Sequence, residues 1–218
     1  MTQFALSVQL ASAGEKKAVP KYEPLSVSDE ENLYNRFLAG DEKACVELFQ
    51  RYNQRLYTYC VKMVGDLEQA EDLTQEAWGR LIEIRATGRP LQNPVGFLMR
   101  VVRNLCLDHI KTRKRLLSID GVHETALPSY ILYEPSEMEE LVVKGLQKLS
   151  FDYREVLVLN IYCGYSFEEI AKMTGKSPES IWTRASRARA QLRKLVQSAR
   201  DRRNDGASRR GIAGGERT

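Results

Sequence analysis

The sequence predicts an all-α protein of two small helical domains joined by a flexible linker. Three observations carry this. Apolar residues recur at steps of three and four along most of the 218 residues, which is the period of a helix with one buried face. The breaks between runs fall at Gly, Asp, Asn and Pro. Periodicity then lapses over residues 116–138, where Gly121, Pro128 and Pro135 interrupt the chain, so two cores are expected on either side of that stretch.

Residues 1–29 mix Ala, Ser, Lys, Pro and Glu without a sustained period and are expected to form a mobile arm. The first domain is expected over residues 30–115. Leu33 and Phe37 open its helical spacing before a break at Gly40 and Asp41. Ala44, Leu48, Phe49, Tyr52, Leu56 and Tyr57 form the next stripe, closed by Gly65. Asp66 is placed to cap a third helix with Ala70, Leu73, Ala77, Trp78 and Leu81 on its apolar side, and its acidic first turn suits the positive end of the helix dipole. Gly88, Pro90, Asn93 and Pro94 mark a loop. A helix follows from about Pro94 to Arg115, burying Phe97, Leu98, Val101, Leu105 and Ile110.

The second domain is expected over residues 139–200, with helices at Leu141 to Lys148 and Phe151 to Tyr162, the latter capped by Ser150. Next, Ser166-Phe-Glu-Glu169 reads as a capping box, Thr174-Gly175-Lys176 as a turn, and Ser177-Pro178 as the cap and first position of another helix. That helix carries Ile181, Ala185, Ala188, Leu192 and Leu195 at alternating steps of four and three. Cap, turn and stripe together make a helix-turn-helix. Residues 201–218, rich in Arg, Gly, Ser and Asp, are expected to be a disordered tail.

Charge is sorted into blocks although the net value is only +4. Pro94 to Arg115 holds six basic residues against one acid, and Lys172 to Arg203 holds ten against two. Two separate basic surfaces fit a polyanion touched twice. Asp66 to Glu76 is the opposite, with five acids and no base, a face that DNA would repel and protein would meet. No apolar stretch approaches the roughly 20 residues that cross a bilayer, and a secretory leader pattern is absent, so a cytoplasmic location without membrane insertion is expected.

Cys45, Cys60, Cys106 and Cys163 are widely spaced with no Cys-x-x-Cys pair and read as buried, reduced thiols. Cys106 and His109 would share a helix face, but His123 is the one further histidine, too few ligands for a structural zinc. No metal, cofactor or catalytic constellation is expected: no carboxylate stands at a recognisable spacing from a Cys or His, and no phosphate-binding glycine loop occurs. The protein is not expected to be an enzyme.

In a helix-turn-helix the second helix enters the major groove, and side chains opposite its buried stripe reach the bases. Those are Trp182, Thr183, Ser186 and Arg187, with Arg187 able to make a bidentate contact to guanine. Lys172, Lys176, Arg184 and Arg189 are placed for phosphates, which position a domain without reading sequence.

The first domain carries a more specific signal. Ala70-Glu71-Asp72-Leu73-Thr74-Gln75-Glu76-Ala77-Trp78 resembles the region 2.2 signature of bacterial RNA polymerase sigma factors. Phe97-Leu98-Met99-Arg100-Val101-Val102-Arg103-Asn104-Leu105-Cys106-Leu107-Asp108 resembles their regions 2.3 and 2.4. Gly164 to Ala171 and Ile181 to Arg189 are similar to region 4.2 of the small extracytoplasmic-function kind. The resemblance spans about residues 30 to 196, three blocks in order, with no room for the middle domain of larger sigma factors.

That resemblance implies an alternative sigma factor that binds core RNA polymerase and directs promoter-specific initiation. Partners would be the beta-prime clamp helices and the beta subunit of the polymerase, promoter DNA, and an anti-sigma factor. Glu71, Asp72, Gln75, Glu76 and Trp78 would contact the clamp helices. Phe97, Arg100, Arg103, Asn104 and Lys111 would grip the minus-ten element, with Asn104 near a base and the cations on phosphates, while the loop from Gly88 to Asn93 matches the base-specificity loop in position. Lys176, Trp182, Thr183, Arg184, Ser186, Arg187 and Arg189 would bind duplex at minus thirty-five. Two residues depart from the pattern: Phe97 replaces a usual Trp, and Trp182 occupies a commonly basic position. The alternative is a stand-alone helix-turn-helix regulator, which would leave the acidic helix without a role.

Overall fold

The computed structural model describes residues 27–88, 91, 93–120 and 137–213, and every regular element among them is helical. The first domain holds α1 (Val27–Leu38), α2 (Glu42–Val64), α3 (Leu67–Ala86) and α4 (Pro94–Asp120). The second holds α5 (Glu137–Lys148), α6 (Phe151–Leu157), α7 (Phe167–Thr174) and α8 (Pro178–Ala213). Between α6 and α7 the helix widens into a π turn over Val158–Tyr162. The mobile arm expected before Glu30, most of the linker at residues 121–136, parts of the Gly88 to Asn93 loop and residues 214–218 lie outside the described residues.

The caps follow from side-chain chemistry. Asp41 accepts hydrogen bonds from the backbone N–H groups of Lys43 (2.8 Å) and Ala44 (3.3 Å), starting α2. Asp66 accepts from the Gln69 N–H at 3.1 Å, starting α3, and each such cap is worth about 1 kcal/mol. Gly65 ends α2 in the left-handed region at φ 75°, and its N–H closes on the Val61 carbonyl. Any side chain there would meet a second obstacle, because a Cβ would lie 2.9 Å from the Gln147 amide of the other domain. In the second domain Ser166 and Glu169 form the expected reciprocal capping box, and Gly175 at φ 66° makes the turn into α8.

Ser150 behaves differently from the expectation. Its side chain makes no capping bond to α6; its carbonyl instead accepts the Arg154 N–H at 2.9 Å. Two helices also run past their expected ends. α4 continues beyond Arg115 to Asp120 because no Gly or Pro intervenes before Gly121. α8 continues through residues 201–213, where order was expected to be lost: no proline follows Pro178, and an isolated glycine such as Gly206 costs a helix only about 1 kcal/mol.

Most of the stripes read from the sequence are buried: Leu33 and Phe37 on α1; Ala44, Leu48, Phe49, Tyr52 and Leu56 on α2; Ala70, Leu73, Ala77, Trp78 and Leu81 on α3; Leu98 and Val101 on α4; Ile181, Ala185 and Ala188 on α8; Tyr57, Phe97, Leu105, Ile110, Leu192 and Leu195 are half-buried at the edge of the core. Each large aliphatic side chain so buried contributes roughly 1.5–3 kcal/mol. All four cysteines are buried thiols.

The two cores are continuous, which the sequence did not indicate. α2 of the first domain packs on α5, α6 and the π turn of the second, and α4 touches α7. The last carbonyls of a helix have no partner within it. Here the second domain supplies them: Gln147 Nε2 donates to the Lys62 carbonyl at 3.1 Å, and Arg154 Nη1 donates to that of Met63. Arg154 is only 6% exposed and also donates to the carbonyls of Leu146 (2.9 Å) and Gln147 (2.6 Å). Burial lowers its pKa to about 10, so it remains a cation at neutral pH, seated at the negative end of α2.

Candidate nucleic-acid interface

α3 presents Glu71, Asp72, Gln75 and Glu76 on one exposed face, as the i, i+1, i+4, i+5 spacing requires. Gln75 donates to Glu71 at 3.2 Å, and Arg80 pairs with Glu76 at 2.6 Å, both side chains nearly half exposed, so these contacts add little stability. Trp78 is not part of this face. It is 4% exposed, packs on Phe49 with ring centroids 5.2 Å apart, and donates its indole N–H to Asn53 at 3.0 Å. Its position in the stripe Leu73, Ala77, Trp78, Leu81 accounts for that, and it supports the acidic face from behind.

On α4, Arg100, Asn104 and Lys111 are exposed along one side, with Phe97 half-buried at its start. Arg103 turns toward the second domain. Its Nε and Nη2 donate to the two oxygens of Glu155 at 2.6 and 3.2 Å, and its guanidinium lies 5.6 Å from the Phe151 ring centre. Glu155 is 3% exposed and also accepts from the Tyr59 hydroxyl at 3.0 Å. The deeper partner bears the desolvation: burial raises the Glu155 pKa, with Arg103 and Tyr59 pulling it partly back. For the shallower Arg103, burial works against the charge but the carboxylate outweighs it, and its pKa rises. Asn93, Gly96, Met99 and Arg100 face Lys172, Met173 and Thr174 of α7 across a cleft of about 210 Å³.

On α8, Trp182, Thr183, Ser186 and Arg187 stand together on the exposed side, and Lys176 is exposed in the turn before it. Trp182 is 65% exposed, a large apolar surface to leave in water, and meets Phe167 of α7 edge-on at 6.4 Å. The Thr183 hydroxyl bonds back to the Glu179 carbonyl at 2.9 Å. Two of the expected phosphate contacts are tied within the protein: Arg184 pairs with Asp152 at 2.7 Å, and Arg189 donates to Asn160 Oδ1 at 3.0 Å while lying over the Phe167 ring. Both brace α8 against α6 and the π turn.

Sequence reasoning missed Tyr59, Gln147, Arg154 and Glu155. A signal was present for two of them, since Arg154 and Glu155 interrupt an otherwise apolar run from Tyr153 to Leu159 with adjacent charges that a helix cannot both turn to water there.

Comparison with known proteins agrees with this geometry. Residues 48–116 match the family model Sigma-70 region 2, and residues 139–192 match Sigma-70, region 4. The chain is 30% identical over 163 residues to RNA polymerase sigma factor CarQ of Myxococcus xanthus, covering 74% of this chain and 94% of that protein. It is also 30% identical over 146 residues to ECF RNA polymerase sigma factor EcfG of Rhodopseudomonas palustris strain TIE-1, covering 65% of this chain and 78% of that one. Among solved structures, the fold is similar to sigma factor RpoE of Bartonella quintana, determined in complex with the anti-sigma factor NepR, with a TM-score of 0.60, 24% identity and coverage of 71% of this chain and 98% of that one. Two sigma regions in order rule out the stand-alone regulator, which has no use for the first. The chain belongs to the extracytoplasmic-function sigma factors of RNA polymerase, and it directs promoter-specific initiation of transcription.

Proposed function

We propose a division of labour among three faces. The acidic face of α3, Glu71, Asp72, Gln75 and Glu76, docks on the beta-prime clamp helices of core polymerase, with Trp78 holding that face in place. The α4 stripe of Phe97, Arg100, Arg103, Asn104 and Lys111 holds the non-template strand of the minus-ten element. A binder selective for unstacked bases offsets the few kcal/mol that each flipped base costs, so the bubble is stabilised by binding alone and no covalent catalysis is needed. On α8, Trp182, Thr183, Ser186 and Arg187 read the minus-thirty-five duplex and Lys176 contacts phosphate, while Arg184 and Arg189 keep the helix at its angle.

The observation that carries this reading is the separation of charge: one exposed acidic stripe on α3, followed in sequence by two exposed basic stripes on different domains. The proposed site of action is the cytoplasm; no described helix is long and apolar enough to cross a membrane. An anti-sigma protein is the proposed regulator, as the resemblance implies and as the Bartonella quintana relative was solved with one. Transcription by core polymerase plus this chain on a random promoter library tests the reading. Discrete starts sharing minus-thirty-five and minus-ten motifs are expected, and no start above core enzyme alone would overturn it.

A further inference from the structure

Trp182 is 65% exposed, more than any other large hydrophobic side chain among the described residues. It stands in the second turn of α8, near the end from which a recognition helix reaches base edges. The next two residues along the helix are engaged within the protein. The Thr183 hydroxyl bonds back to the Glu179 carbonyl at 2.9 Å, and Arg184 pairs with Asp152 at 2.7 Å. One turn further on, Ser186 and Arg187 are exposed. α8 therefore offers a bare indole first and hydrogen-bonding groups only after it.

We propose that Trp182, with its ring plane set by Phe167, selects thymine in the minus-thirty-five element by packing on the 5-methyl group. The proposal deepens the assignment of α8 to that duplex and rests on it. The thymine methyl is the one alkyl group that a base presents in the major groove. Pressed on any other base edge, an indole strips water from donors or acceptors and supplies at most one hydrogen bond in return. A lone tryptophan on a helix surface would also lose rotamer freedom on binding, and here that freedom is already restricted. Phe167, the first residue of α7, meets the indole edge-on, with centroids 6.4 Å apart and ring planes at 76°, a favourable aromatic geometry. Phe167 is held in turn. The Arg189 guanidinium lies 5.7 Å from its ring centre and donates to Asn160 Oδ1 at 3.0 Å, while Asn160 Nδ2 donates to the Tyr165 carbonyl at 2.9 Å. Asn160 belongs to the π turn, a widening that helices adopt mostly at functional sites. The chain of contacts from Asn160 through Arg189 and Phe167 ends on Trp182, so Phe167 is a positioning residue for the base-contacting ring.

The experiment uses the full-length chain with core polymerase and the minus-thirty-five element that this holoenzyme selects from a random promoter library. Each thymine of the selected element, on either strand, is replaced in turn by deoxyuridine, which removes the methyl and keeps every hydrogen-bonding group. Affinity is read by competition against the unmodified duplex. At one thymine, or at two adjacent ones, wild-type binding is expected to fall about three- to fivefold, the worth of one buried methyl. Trp182→Ala, at an exposed position that the fold does not need, is expected to bind the thymine and uridine duplexes within about 1.5-fold of each other. Phe167→Leu keeps an apolar residue at the start of α7. It is expected to reduce the thymine-to-uridine ratio below about twofold while affinity for the uridine duplex stays within about twofold of wild type. Phe167→Tyr keeps the ring and is expected to retain the wild-type ratio. A selected element without thymine, or one in which no thymine responds to loss of its methyl, overturns the proposal. Equal sensitivity in wild type and Trp182→Ala also overturns it, because another side chain would then read the methyl. If Phe167→Leu weakens both duplexes alike, Phe167 is merely structural and its positioning role is overturned. Failure of the holoenzyme to select any minus-thirty-five element falls on the reading of α8 itself, and the proposal falls with it.

Discussion

The two basic surfaces differ in how much of each is free. On α8 the residues proposed to read bases, Trp182, Thr183, Ser186 and Arg187, all face solvent. On α4 the stripe is split: Arg100, Asn104 and Lys111 are exposed, while Arg103 is held by Glu155 from the other domain. The difference matches the roles proposed for the two surfaces. A duplex-reading helix has its target present at all times and needs only to be presented rigidly, which the braces Arg184–Asp152 and Arg189–Asn160 achieve. A single-strand-reading face has a target only inside the polymerase, and a cationic face left open would bind any stray polyanion.

Substitutions sharpen this contrast, and the largest effect belongs to the seam between the two domains. Arg154→Ala removes a buried cation that satisfies carbonyls in both domains, and it is expected to lower stability by about 3 kcal/mol in denaturant titration. A change below about 0.5 kcal/mol would mean that water replaces the guanidinium and that the seam contributes little. Next is the docking face. Asp72→Lys with Glu76→Lys is expected to weaken core polymerase binding about 100-fold, equivalent to about 2.7 kcal/mol, while affinity for free DNA is kept or raised. Unchanged polymerase association would remove the acidic face from the account.

Within the DNA faces, Arg187→Ala is expected to cost about 1–3 kcal/mol at one minus-thirty-five position and relax specificity there. A uniform loss across promoter variants would assign it to phosphate. Asn104→Ala is expected to impair initiation on duplex several-fold more than on a pre-melted template, and equal losses on both would contradict a role in opening. The two tryptophans give the smallest and cleanest contrast. Trp78→Phe, losing the bond to Asn53, should lower stability by about 1 kcal/mol without altering promoter preference. Trp182→Ala should leave stability within about 0.5 kcal/mol and change the minus-thirty-five preference.

What the sequence made legible is local. The cap at Asp66, the Ser166–Glu169 box and the turn at Gly175 each depend on residues within a few positions of one another, so spacing is enough to read them. Trp78 shows the limit: the resemblance assigned it to a contact surface, whereas its own spacing with Leu73, Ala77 and Leu81 placed it in the core, and the periodicity was the better guide. Arg103 shows a second limit, because its partner lies 52 residues away and no spacing rule connects α4 to α6. The helix ends at Asp120 and Ala213 were misjudged for a simpler reason. At α4 the loss of apolar periodicity after Arg115 marks the end of the buried face and not the end of the helix, and at α8 a polar, Arg-rich composition does not by itself stop a helix that contains no proline after its first position.

The central claim is that each domain reads its own promoter element. Elements near minus ten and minus thirty-five lie about 25 base pairs apart, about 85 Å of duplex at roughly 3.4 Å per base pair, so the domains that touch here must stand apart on polymerase. Gln54 on α2 and Ile161 on the π turn are exposed residues on opposite sides of the seam, and the native cysteines are buried, so spin labels at Gln54→Cys and Ile161→Cys report the distance between the domains. Pulsed electron resonance on the full chain is expected to give one short, narrow distance alone and a distance longer by tens of ångströms when core polymerase is added. The same short distance in both states, with transcription intact, would contradict the account.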